Sequence, residues 1–205
     1  MIEDIRIDPR LKAEDHEVRV KNVVIRVNSF DETSAATLCN EVSLAHQAKQ
    51  TYLPVIVDSE GGDMYALWSM VDVLSRSRIP VVTIIEGKAF SSGSALFMCG
   101  WEGYRFIGPN ASMMIHDGSG EVAGKASDMK VEAKHVLQLN QKLYYHMEKR
   151  AGKPRNFLWN MIQKRRGTDW YITPKEAVQL GLANHVKIPT LRTEAKVHTS
   201  LIFSR

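Results

Sequence analysis

The sequence predicts an α/β protein: a parallel sheet flanked by helices, followed by a strand and a long helix set apart from it. Three observations carry this. Short apolar runs alternate with amphipathic helical patterns through the first half of the chain, the order that a parallel sheet with crossover helices produces. The runs are apolar almost continuously rather than at every second residue, as in strands covered on both faces. One helical pattern of about 25 residues, from Ala126 to Arg150, starts after the sheet pattern has ended.

Taken in order, residues 1–20 are charged and aperiodic and read as an N-terminal arm. Residues 23–27 read as a strand. Asp31 is placed to cap a helix over residues 32–49, with Ala35, Leu38, Val42 and Ala45 on one face. Residues 53–57 form a second strand, broken by Ser59-Glu60-Gly61-Gly62. The next helix carries the stripe Met64, Leu67, Trp68, Val71 and Leu74. Residues 80–85 are a third strand, broken at Gly87, and a helix starts near Ser91. Shorter strands are expected over residues 104–107 and 112–115. In the long helix Met129, Ala133, Val136, Asn140, Leu143 and Met147 recur every three or four residues. So long a helix, arriving after the sheet, needs a partner to pack against. A further helix is expected near Pro154, because proline suits a first turn. Another spans residues 174–180, stopped by Gly181, and residues 183–188 read as a last strand. The domain therefore spans residues 21–188, and 189–205 form a C-terminal tail.

The totals narrow the function classes. A chain of 205 residues is the size of one domain. Its 44% hydrophobic and 24% charged residues are those of a water-soluble globular protein. The net charge of +4 comes from scattered basic residues, without the basic face that nucleic-acid binding requires. No run approaches the length of a membrane span, and the charged N-terminus lacks the apolar core of a signal peptide. Cys39 and Cys99 both sit among apolar neighbours and read as buried free thiols, which points to a reducing, cytoplasmic setting.

Two strand-to-helix turns carry glycines, Gly61-Gly62 and Gly87. Glycine admits positive φ and close backbone approach. Neighbouring amides at such a turn converge on an anion, either a phosphate or the oxyanion of acyl transfer. No GxxxxGK[ST] or GxGxxG pattern accompanies them, so nucleotide binding is the weaker use. Ser91 lies at the second turn, among the small residues Ala89, Gly93 and Ser94. A serine there is ordinarily a helix cap. His116 ends the apolar run Met113-Met114-Ile115, where a histidine is ordinarily structural. Asp169, before Trp170-Tyr171-Ile172, reads equally as a turn or cap residue. A nucleophile needs a base, and the base needs an orienting group; none of the three is decisive alone.

Together these segments resemble the ClpP family of serine peptidases. Val57-Asp58-Ser59-Glu60-Gly61-Gly62 is similar to the family's N-S-P-G-G turn, and Gly87-Lys88-Ala89-Phe90-Ser91-Ser92-Gly93 to its G-Q-A-A-S-M-G segment. Met113-Met114-Ile115-His116 resembles V-M-I-H. Asp169-Trp170-Tyr171-Ile172-Thr173-Pro174-Lys175-Glu176-Ala177 with Gly181-Leu182 resembles the D-x-x-[LM]-[ST]-x-x-E-A…Y-G-L segment. Gly62 to Ser91 is 29 positions and Ser91 to His116 is 25, both the family's intervals; a slightly long gap before Asp169 implies a short insertion. Gly124-Lys125-Ala126-Ser127-Asp128 resembles the opening of the family's handle helix.

The resemblance implies Ser91 as nucleophile, His116 as general base and Asp169 as the orienting acid, with the backbone N–H groups of Gly62 and Ser92 holding the oxyanion. It implies no metal and no cofactor. It implies a crotonase-like head and a handle over about residues 119–150, assembled as a homo-oligomer of heptameric rings stacked in pairs, a tetradecamer around a closed chamber. Its substrates would be unfolded proteins or peptides, its partner an AAA+ Clp unfoldase. Departures mark a divergent member of a family that also has virus-encoded relatives. Glu60 stands where the family has proline, Phe90 and Ser92 replace a small residue and a methionine beside the nucleophile, and residues 1–20 do not resemble the axial loop that engages the unfoldase. Association with typical ClpP subunits is the other arrangement. Two competing functions share parts of this pattern: a crotonase-fold acyl-CoA enzyme, which needs the oxyanion turns but not the Ser–His–Asp set, and a non-catalytic ring subunit.

Overall fold

The computed structural model describes residues 22–118 and 123–192. The N-terminal arm, the segment just before the long helix where the handle strand is expected, and the tail from residue 193 lie outside the described residues. The elements run β1 (Ile25–Val27), α1 (Glu32–Gln47), β2 (Leu53–Ser59), α2 (Met64–Ser75), β3 (Val81–Phe90), α3 (Ser92–Phe97), β4 (Arg105–Ile107), β5 (Ser112–Ile115), α4 (Ala126–Arg150), α5 (Phe157–Lys164), β6 (Trp170–Ile172), α6 (Pro174–Gln179) and β7 (His185–Val186). The α/β class is as expected. Strands β1-β2-β3-β4-β7 are joined in parallel, β5 adds in parallel to β3, and β6 pairs antiparallel with β5.

Asp31 starts α1 as anticipated: its carboxylate accepts from the Ser34 amide at 2.8 Å, and the Ser34 hydroxyl accepts from the Asp31 amide at 3.0 Å. The α1 stripe and Leu67, Val71 and Leu74 of α2 are buried with Val55, Val57, Val81 and Ile85 in one core, and Met64 and Trp68 pack against it partly buried. Burying a side chain of this size contributes about 1.5–3 kcal/mol, so these stripes fix the helices on the sheet.

The third strand differs from expectation. Gly87 does not end it; β3 continues to Phe90. Val57 pairs with Ile85 but Ser59 pairs with Ala89, so β3 bulges at this point. Gly87 supplies the bulge with φ of +80°, and a Cβ there would stand 2.9 Å from Asp58 Oδ1. The bulge lets one strand serve two partners. Thr83–Ile85 pair with β4, and Lys88–Phe90 pair with β5. The second half carries the chain up to Ser91.

Arg105 fixes the C-terminal elements to this sheet. It is 2% exposed, and its guanidinium donates to the carbonyls of Leu182, Gly100 and Gly181 and to the Glu102 carboxylate, the multiple pairing that a buried cation needs.

Three further expectations are corrected. Helix α5 starts at Phe157 rather than near Pro154, because the buried Glu148 of α4 accepts from the Asn156 and Leu158 amides at 2.9 and 2.8 Å and sets the start there. The last strand is limited to His185–Val186. Cys39 is exposed, since it lies beside rather than on the buried stripe of α1. Cys99 is buried, and burial pushes its thiol up to about 12.

Helix α4 is asymmetric. Asn140, Leu143, Tyr144, Met147 and Glu148 are buried, whereas residues 123–134 are exposed throughout. Met129 and Val131 stand in solvent on that half.

Candidate active site

Sheet register builds the site. In the β5–β6 ladder Met113 opposes Ile172, Met114 opposes Tyr171, and Ile115 opposes Trp170. One step further along the same antiparallel ladder, His116 meets Asp169, with Nδ1 3.6 Å from Oδ1. On the other side of β5, Phe90 pairs with Met114, and the Ser91 amide donates to the Met114 carbonyl at 2.9 Å. Ser91, His116 and Asp169 therefore occupy the same edge of three adjacent strands: the end of β3, the end of β5 and the start of β6. The structure brings His116 and Asp169 together and sets Ser91 at the neighbouring strand end. Among the described residues no hydrogen bond joins the Ser91 hydroxyl to the imidazole. Such contacts are commonly long in unliganded sites and tighten with substrate. Asp169 is half exposed and His116 a quarter exposed, so both are open to a ligand.

Ser91 is not a capping serine. It occupies the N-cap position of α3, but its side chain makes no hydrogen bond to the helix amides. Its backbone lies at φ 54°, ψ −119°, a strained conformation for a residue with a Cβ. Such strain costs about 1–3 kcal/mol and persists only where the surroundings impose it. The surroundings are firm. Ser94, fully buried, places its hydroxyl 2.7 Å from the carbonyls of both Ala89 and Met114, tying the ends of β3 and β5 together beneath the elbow.

The glycine turn lies directly against this elbow. A Cβ on Gly61 would come within 2.8 Å of Ser91 Cβ and 3.2 Å of the Ser92 nitrogen, so no larger residue fits. The next residue, Gly62, has φ of +148° and forms a parallel bridge with Phe30. Ser92 Oγ donates to the Gly62 carbonyl at 3.0 Å, joining the two turns. This hydroxyl was missed in the sequence, where only the Ser92 amide had a role. Glu60, which departs from the family's proline, is held by Lys88 at 2.7 Å. That hydrogen bond lowers the Glu60 carboxyl and raises the Lys88 ammonium. The pair ties the glycine turn to β3 just past its Gly87 bulge.

Two other contacts were also missed. Tyr144 Oη donates to Asp117 Oδ1 at 2.7 Å, and the Gly118 amide donates to Asn140 Oδ1 at 2.9 Å. The residues that follow His116 are thus held by the buried half of α4. The available signal was Asn140, a polar residue in an otherwise apolar stripe. Phe90, beside Ser91, packs edge-on against Tyr171, with ring centroids 5.6 Å apart and planes at 90°.

A strained serine, an adjoining glycine turn and a histidine–carboxylate pair at one sheet edge are the parts that acyl transfer requires. Comparison with known proteins gives the family. The Clp protease family model matches residues 15–189. The ATP-dependent Clp protease proteolytic subunit of Deinococcus radiodurans is 33% identical over 143 residues, which span 70% of this chain and 68% of that protein. Neither the acyl-CoA reading nor the non-catalytic one is favoured by these matches. With the family model covering every strand of the sheet and every element of the candidate site, the chain belongs to the Clp protease family, as a ClpP-like serine peptidase.

Proposed function

We propose that Ser91, His116 and Asp169 are the catalytic residues of a serine endopeptidase, with the amides of Gly62 and Ser92 as its oxyanion hole. The observation that carries this assignment is the shared strand edge, with the strained and non-capping Ser91 at one end and the 3.6 Å His116–Asp169 pair at the other. Ser91 Oγ attacks the peptide carbonyl while His116 takes its proton. The oxyanion that forms is met by the Gly62 and Ser92 N–H groups, at a turn already rigid through the Ser92–Gly62 hydrogen bond. His116 then protonates the leaving amine, the C–N bond breaks, and an acyl ester stays on Ser91. A water activated by His116 hydrolyses that ester. Asp169 holds the imidazole in orientation and stabilises its cation.

The chain works as one peptidase unit over residues 21–188, with a handle over about 119–150. The exposed first half of α4, including Met129 and Val131, supports packing against other copies in stacked heptameric rings. A Clp unfoldase, or more typical ClpP subunits, would complete the assembly, with unfolded proteins or peptides as substrates. Among the described residues no helix is long and apolar enough to cross a membrane.

A fluorophosphonate probe and short fluorogenic peptides test the chemistry. Wild type is labelled and cleaves; Ser91→Ala does neither. Labelling that survives Ser91→Ala would remove the assignment. Light scattering tests the assembly, with an expected mass many times the 23.1 kDa of one chain.

A further inference from the structure

We propose that Phe90 and Tyr171 form an aromatic wall that selects an apolar side chain on the leaving-group side of the scissile bond. The inference rests on the assignment of Ser91, His116 and Asp169 as the catalytic residues. Two rows of side chains cross β3, β5 and β6. Ala89, Met113 and Ile172 lie on the core face, all fully or almost fully buried. Phe90, Met114 and Tyr171 are the next row, and strand alternation puts them on the opposite face. Met114 is covered by its neighbours, whereas Phe90 is partly exposed and Tyr171 is 58% exposed.

By the same alternation, His116 lies on the face of Met114, and Asp169 on the face of Tyr171. The aromatic row is therefore one pleat, roughly 7 Å, from the base and its acid. His116 must deliver its proton to the leaving amine, so that nitrogen lies within hydrogen-bond reach of the imidazole during the reaction. The side chain of the leaving residue begins two bonds from that nitrogen. Among the described residues, the Phe90–Tyr171 pair, with Met114 between them in register, is an apolar surface one pleat from the imidazole on this face. An edge-to-face aromatic pair with a thioether between offers dispersion contact and no hydrogen-bond partner other than the Tyr171 hydroxyl. Such a surface favours Leu, Met or Phe and penalises a charged residue, which would lose hydration without compensation.

The test uses internally quenched peptides identical except at the leaving-group residue, which is Leu, Phe, Ala, Ser or Asp. The readout is the ratio of kcat/KM between members of the series, because a ratio cancels any common loss of active enzyme. Wild type should prefer Phe or Leu over Asp by about 10-fold or more, the discrimination expected of one apolar contact surface. Phe90→Ala and Tyr171→Ala should each flatten the series, and Phe90→Leu should retain most of it. A wild type that cleaves every member equally overturns the inference while leaving the catalytic assignment intact. So does a Phe90→Ala variant that keeps the full preference at a lower overall rate, which would make the ring a packing element only. A wild type that cleaves no peptide and is not labelled at Ser91 removes the catalytic assignment and this inference with it.

Discussion

The hydroxyl of Tyr144 lies 2.7 Å from Oδ1 of Asp117, so the long helix α4 grips the residue that directly follows His116. Burial and this hydrogen bond raise the Tyr144 phenol, which keeps it a donor at any pH the protein meets. Asn140, one turn earlier, holds the Gly118 amide. His116 stands one step past the last ladder pair of β5, Ile115–Trp170, and among the described residues these two hydrogen bonds tie Asp117 and Gly118 to α4. Tyr144→Phe should therefore lower kcat roughly 10-fold with little change in KM, since misplacement of a catalytic group by ~1 Å can cost up to ~10²-fold. Asn140→Ala should act in the same direction. The rate of Ser91 labelling, set beside KM for a short peptide, is the measurement. An unchanged rate in both variants would show that β5 alone orients the imidazole.

Ser91 holds a conformation that glycine adopts without strain, at φ 54° and ψ −119°. Ser91→Gly should abolish cleavage and yet stabilise the fold by about 1 kcal/mol, the strain relieved less the added chain entropy of glycine. Ser91→Ala should abolish cleavage and leave stability nearly unchanged, because its Cβ keeps the strain. Urea unfolding of the three proteins gives the comparison. Equal stability for Gly and Ala would mean that the elbow stores no strain.

The sequence made Ser91, His116 and Asp169 visible through spacing and motif, not through any property of each alone. What it could not display was the reason they meet. That reason is the antiparallel register of β5 and β6, and β6 is three residues long, too short to have a period. The strands and helices that bury long apolar runs, such as β2, α1 and α2, were legible because local pattern and burial coincide there. Gly87 misled for the opposite reason. Glycine punctuates strands locally, but here the bulge it permits is stabilised by two neighbouring strands far away in sequence. The Tyr144–Asp117 and Ser92–Gly62 contacts are likewise non-local, and a tyrosine or serine in a helix announces no partner. Asn140 was the exception, because a polar residue in an apolar stripe demands one.

The two thiols should separate cleanly. Cys39 is exposed on α1, whereas Cys99 is buried with its thiol pushed up to about 12. Reactivity follows the thiolate and its access. A maleimide should modify the native protein once, at Cys39, and modify Cys99 only after denaturation. Mass spectrometry of the labelled peptides reads this directly. Rapid native modification of Cys99 would contradict the packing of the segment behind α3.

His146 should make the protein acid-sensitive. It lies on α4 with Nε2 3.2 Å from the Ala95 carbonyl in α3, and its ring meets Trp68 of α2 edge-on at 5.8 Å. Burial holds it down at about 4, with Arg150, Lys142 and Lys149 adding repulsion. An unfolded histidine titrates near 6.5. Between about pH 6.5 and 4 the unfolded chain binds a proton that the folded chain refuses, so stability rises with pH across that window. The contribution is complete above pH 6.5 and lost as pH falls toward 4, at most about 3 kcal/mol for a shift of this size. His146→Gln keeps a donor for the Ala95 carbonyl and cannot titrate. The difference in unfolding free energy between wild type and His146→Gln should therefore slope with pH between 4 and 6.5 and be flat above it. A difference that is flat throughout would place His146 in solvent, and the contact between α3 and α4 behind the Ser91 elbow would have to be looser than these distances allow.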